Sequence, residues 1–140
     1  MFSQNKMATI SSTYQSYEIP VTSALVATSD PKLLSLLSMA LRQTGIEVQE
    51  FQTLSGIPEN ADTYRLFVVD GDIKPGNAIE LSRDLRRQQS TVDAAIVLLS
   101  FDEAIDAYDA GVDMVMAKPV SINLFMARIR SILRRYNSFR

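Results

Sequence analysis

From Val21 onward the chain alternates short, uninterrupted apolar runs with segments of helical period, and this alternation limits its fold more than any other feature. The runs are Ala24-Leu25-Val26-Ala27, Leu66-Phe67-Val68-Val69, Ala95 to Leu99 and Met114 to Ala117, with Glu47 to Phe51 as a further strand. Between them, Leu33, Leu34, Leu37 and Leu41 follow Pro31 at helical spacing, and Gly45 supplies a stop. A second amphipathic segment covers 78–89 through Ile79 and Leu85, and a short one covers about 102–110 and ends at Gly111. The last helix starts near Ser121 and lines up Ile122, Phe125, Ile129 and Leu133 on one face. Gly56, Pro58 and Asn60 leave room for a turn at most between Thr53 and Tyr64. Strands that are apolar at every position must be covered on both faces, which is the condition of a parallel sheet with helices on either side. The pattern predicts an α/β protein with a doubly wound, five-stranded parallel sheet, its second helix short or missing.

Three organisational expectations follow: a flexible N-terminal tail over 1–20, one folded domain over 21–136, and a C-terminal end or linker over 137–140. The chain has no Cys and no His, so disulfides, thiolate chemistry, imidazole bases and the commonest zinc ligands are excluded. Cysteine-free composition fits a cytoplasmic location. No apolar run reaches the roughly 18–20 residues of a membrane span, so no membrane association is expected. The net charge of −2 is uneven: Arg128, Arg130, Arg134, Arg135 and Arg140 crowd the end, and the first 127 residues carry −7. A basic helix of this kind suits nucleic acid or an acidic partner; the plainer reading is a solvated helix end whose arginines favour the negative end of the dipole.

Function in such sheets gathers beyond the carboxyl ends of the strands. Those ends present Thr28, Ser29 and Asp30, then Asp70, then Ser100, then Lys118. A carboxylate, hydroxyls and an ammonium on one edge form a set suited to handling phosphate. Each has a plainer reading: Asp70 as a turn cap before Gly71, Ser100 as a helix cap in the S-x-x-E pattern with Glu103, Thr28 and Ser29 as turn and cap residues.

With the strand ending on Asp70, the strand ending on Ser100, and Lys118-Pro119 after the fifth strand, residues 22–135 resemble the receiver domain of bacterial response regulators. That family has a flavodoxin-like fold and serves two-component signalling, phosphorelay and transcription regulation. The stretch from Phe125 to Arg135 resembles the end of receivers that precede a winged-helix DNA-binding domain. The resemblance implies Asp70 as phosphoacceptor, Ser100 and Lys118 as contacts to the phosphoryl oxygens, and an acid pair at the first strand end that helps hold Mg²⁺. It departs from the family at that pair. Thr28 and Ser29 occupy the acid positions with Asp30 beside them; a shift of one residue would instead make Asp30 the second acid. Mg²⁺ binds through carboxylates, water and phosphate, so the expectation is weak or absent Mg²⁺ and no other cofactor. The switch position holds Val115 instead of an aromatic ring, Pro75 stands one place later than is common, and the fourth helix is shortened.

The resemblance therefore implies an atypical receiver, a pseudo-receiver, that is not an enzyme and acts through protein partners without Mg²⁺-dependent aspartyl phosphorylation. Self-association through Ile122, Phe125 and Ile129 is one expected contact, and DNA is expected only through an output domain not in this chain. A conventional receiver phosphorylated at Asp70 is the alternative. Val69-Asp70-Gly71-Asp72 also resembles the nucleophile motif of haloacid-dehalogenase-like phosphatases, but no Asp or Glu follows Lys118 to supply the downstream acids that chemistry needs. A flavin-binding reading lacks a glycine in Thr28-Ser29-Asp30-Pro31, and the chain has no Trp.

Overall fold

The computed structural model describes residues 23–57, 63–102 and 104–138. The tail over 1–20, Pro58, Asn60, Glu103 and Arg140 lie outside the described residues. In chain order the elements are β1 (Ser23–Ala27), α1 (Pro31–Arg42), β2 (Glu47–Phe51), β3 (Leu66–Asp70), α2 (Ala78–Arg87), β4 (Ala95–Ser100), α3 (Ile105–Asp109), β5 (Met114–Ala117) and α4 (Ile122–Ser138). A single 3₁₀ turn, Leu54–Gly56, is all the helix described between β2 and β3. The strands form one parallel sheet in the order β2-β1-β3-β4-β5. The chain reverses direction across the sheet between β1 and β3, and their carboxyl ends open the crevice such a reversal leaves.

The apolar runs divide by parity, as a period of two requires. Ala24, Val26, Leu66, Val68, Val97 and Leu99 face one side, under α1 and α4. Leu25, Ala27, Phe67, Val69, Ile96 and Leu98 face the other, with Ala78, Leu85 and Ala107 of α2 and α3. Both halves are needed to bury the three central strands, β1, β3 and β4. The expected architecture is the one observed, including the short α3 of five residues.

Two expectations are corrected. The helix after β4 does not start at Ser100: Ala104 is the N-cap of α3 and offers no side-chain acceptor. Ser100 Oγ instead accepts the Asp102 N–H at 3.1 Å, a local turn that competes with a helical start. On α4, Phe125 and Ile129 are both 0% exposed and packed against the sheet and α1, while Ile122 is half-buried. Phe125 and Ile129 are core, so these two residues offer no surface for self-association. The sheet lacked cover on that face, and α4 is what supplies it.

Candidate functional site

Asp70 closes β3 and is 3% exposed. The residue after it must be small. A Cβ on Gly71 would stand 2.9 Å from the Leu99 carbonyl, to which the Gly71 N–H donates at 2.7 Å. β3 and β4 thus stay paired until the chain turns, and the Asp72 N–H reaches back to Asp70 Oδ1 at 2.9 Å.

Three strand ends meet on this carboxylate. Lys118, just past β5, donates from Nζ to Asp70 Oδ1 at 2.8 Å. It also donates to Asp72 Oδ2 at 3.1 Å. The Thr28 hydroxyl, one residue past β1, donates to Asp70 Oδ2 at 2.6 Å. Register explains the last contact: Ala27 pairs with Val69, so Thr28 comes next to Asp70. Both carboxylate oxygens are therefore engaged. The Lys118–Pro119 and Lys74–Pro75 peptides are cis.

Burial pushes the Asp70 carboxyl up, but the hydrogen bonds from Lys118, Thr28 and the Asp72 N–H outweigh it and hold the group below its ordinary value. For Lys118, burial acts downward, and the hydrogen bonds to Asp70 and Asp72 more than reverse it. The pair is ionised across the ordinary pH range.

The remaining residues singled out in the sequence point elsewhere. Asp30 is the N-cap of α1, accepting from the Lys32 and Leu33 N–H groups, so its carboxylate serves the helix and not the crevice. The side chain at this strand end that meets Asp70 is that of Thr28. Ser29 Oγ bonds the Gln52 carbonyl at 3.2 Å and the Lys74 N–H at 3.4 Å, tying the first turn to the loop after β3. Ser100 occupies the end of β4, its carbonyl accepting the Lys118 N–H at 3.0 Å, while its hydroxyl is in the Asp102 turn. Val115 is half-buried on β5, and its N–H donates to the Tyr108 hydroxyl at 3.1 Å.

Two participants were missed by reasoning from sequence. Asp72 takes a second proton of Lys118, and Phe101 lays its ring over the same ammonium, 4.6 Å from centroid to Nζ. Asp72 had a signal: in Asp70-Gly71-Asp72, a tight turn brings the second carboxylate back toward the strand end. Phe101 had none beyond its position after Ser100. Among the described residues, no three acids gather in a way that would hold a metal ion.

No family model matches the chain. Over 122 residues it is 34% identical to the KDP operon transcriptional regulatory protein KdpE of Escherichia coli (strain K12), covering 84% of this chain and 54% of that protein. The chain belongs to the receiver-domain family of response regulators. This receiver is also 28% identical over 119 residues to the DNA-binding dual master transcriptional regulator RpaA of Synechocystis, covering 79% of this chain and 48% of that one. The receiver thus spans about half the length of these curated relatives. Solved structures agree on the fold. DrrB of Thermotoga maritima, an OmpR/PhoB homologue, superposes with a TM-score of 0.74 at 21% identity, over 82% of this chain and 54% of that one. Chemotaxis response regulator CheY4 of Vibrio cholerae gives 0.73 at 15% identity, over 81% and 99%. Among the described residues, no helix of the receiver is long and apolar enough to cross a membrane.

Proposed function

We propose that this receiver signals through protein contacts and does so without Mg²⁺-dependent phosphorylation of Asp70. The observation that carries the reading is the Thr28 hydroxyl donating to Asp70 Oδ2 at a position where the family uses an acid. Phosphoryl transfer relies on positioning and on a metal that neutralises the phosphoryl oxygens. The donors here are poorly suited to Mg²⁺: both oxygens of Asp70 are taken, Asp72 is turned to Lys118, and Thr28 and Ser29 contribute neutral hydroxyls. Lys118 already neutralises Asp70 from within. A site balanced in this way holds one conformation and has no catalytic activity of its own. The protein works in the cytoplasm, and in any longer protein the contact with DNA falls to a domain outside these 140 residues.

The test is incubation with acetyl phosphate and Mg²⁺ followed by intact mass measurement, with a beryllofluoride titration followed by NMR. The expected result is no phosphoryl adduct and no shifts around Asp70. The double variant Thr28→Asp, Ser29→Asp restores the acid pair and is expected to gain both responses. Stoichiometric phosphorylation of the unaltered protein would overturn the reading. It would favour instead a conventional receiver phosphorylated at Asp70, for which the direct contact between Asp70 and Lys118 speaks.

A further inference from the structure

In the sheet order β2-β1-β3-β4-β5, β2 and β5 stand at the edges. Backbone groups along an edge strand alternate, one residue bonded into the sheet and the next facing outward. On β2 the Phe51 carbonyl accepts the Thr28 N–H, so Phe51 faces β1 while Val48 and Glu50 face out. On the far side, the Lys118 N–H reaches the Ser100 carbonyl, so Met116 faces β4 while Val115 and Ala117 face out. Outward groups of this kind are the template on which a further strand adds.

Each edge is met by a side chain from the helix that precedes it. Arg42, at the end of α1, donates to the Val48 carbonyl at 3.1 Å and pairs with Glu50 at 3.2 Å. Tyr108, on α3, takes the Val115 N–H on its hydroxyl at 3.1 Å. An added strand would run about 4.8 Å from the edge. Both side chains therefore stand inside the space such a strand needs, and each holds one of the groups it would bond.

The two edges differ in charge. β2 exposes Glu47 and Glu50, and two copies paired along it would set these acids against one another. β5 reads Met-Val-Met-Ala and has neither a charge nor a proline. The charged residues that flank it are engaged within the chain, Asp113 with Arg86 and Lys118 with Asp70. An uncharged, proline-free edge is the kind along which identical strands pair.

We propose that Tyr108 guards the β5 edge, its side chain keeping this strand from pairing with β5 of a second copy of the chain. Arg42 holds the same place on β2, where the acids duplicate its effect. Tyr108 is 53% exposed, which fits a residue that serves an edge and not the core. With both edges closed, the protein contacts of the receiver fall on its helices and loops and not on strand addition.

The test uses Tyr108→Phe, Tyr108→Ala and Arg42→Met in the whole chain, with amide hydrogen exchange by NMR and sedimentation velocity over a range of concentrations. Tyr108→Phe removes the acceptor and leaves the ring. The Val115 amide is expected to exchange about tenfold faster, as the loss of one hydrogen bond implies. Tyr108→Ala also empties the space beside the strand. It is expected to associate as concentration rises, with the Val115 and Ala117 amides protected in the associated form. Arg42→Met leaves Glu47 and Glu50 in place and is expected to sediment as the unaltered protein does. The proposal is overturned if Tyr108→Ala sediments like the unaltered protein at every concentration. New protection that falls outside 114–117 overturns it as well. Tyr108→Phe keeps the ring, so an unchanged Val115 rate there decides against the proposal even if Tyr108→Ala does not fold.

Discussion

Thr28 Oγ1 stands 2.6 Å from Asp70 Oδ2 and donates to it, joining the ends of two neighbouring parallel strands. The contact is buried, with Thr28 0% exposed. Hydrogen bonds to charged groups contribute about 1.5–3 kcal/mol. Thr28→Val keeps the shape and removes the donor, leaving one carboxylate oxygen without its partner. The expected outcome is a loss of about 2 kcal/mol in urea unfolding at neutral pH. The Asp70 carboxyl should titrate higher by NMR, and unchanged stability and titration would show that the bond carries no energy.

The same network fixes the direction of pH dependence. Asp70 is held below its ordinary value, so its contribution is complete above the unfolded carboxyl value of about 3.9 and is lost as pH falls through the folded one. Lys118 is raised, so its contribution is complete below about 10.4 and is lost as pH climbs through its folded value. Unfolding midpoints measured from about pH 5 down to about pH 2 should fall less steeply in Asp70→Asn than in the unaltered protein. Equal slopes would mean that the acid sensitivity lies in other carboxylates.

At the opposite end of the sheet, Arg86 ties three segments together. Its guanidinium donates to the Gly111, Val92 and Ala94 carbonyls and to Asp113 Oδ2, which also accepts the Ile96 N–H. Gly111 permits this: its φ is +98°, and a Cβ there would meet Arg86 Cγ at 2.5 Å. Arg86→Met retains the aliphatic stem and strips the donors. The expected cost is about 2–3 kcal/mol, from partly buried carbonyls left unpaired. Thermal or urea unfolding reads it, with no change expected in the NMR signals of Asp70 and Lys118.

Phe125 separates core from interface. Truncation of a buried Phe typically costs about 3–5 kcal/mol. Phe125→Ala should lower stability by that order, and the loss should be independent of protein concentration. A loss that grows on dilution would indicate a role between copies of the chain.

Much of the architecture was legible in residue order. β5 was read at Met114–Ala117, where it lies, and the expected break after Thr53 agrees with the single 3₁₀ turn Leu54–Gly56 found between β2 and β3 among the described residues. These are local matters: a run apolar at every position needs two covering layers, and Gly and Pro interrupt helices wherever they fall. The start of α3 was misread because Ser100 and Glu103 suit a capping box, whereas the hydroxyl was claimed by the nearer Asp102 N–H. The stripe on α4 was legible as apolar but not as core, since one helix looks the same whether a sheet or a second molecule covers it.

Residue order by itself placed Asp70 and Lys118 at strand ends on one edge of a parallel sheet, because strand period and strand direction are local properties. Only the tertiary structure decided which hydroxyl meets the carboxylate, bringing Thr28 to Asp70. It also brought Asp72 and Phe101 onto Lys118. The contacts of Thr28 and Lys118 with Asp70 depend on inter-strand register and join residues 42 and 48 apart in sequence, and no pattern within a single segment encodes such distances.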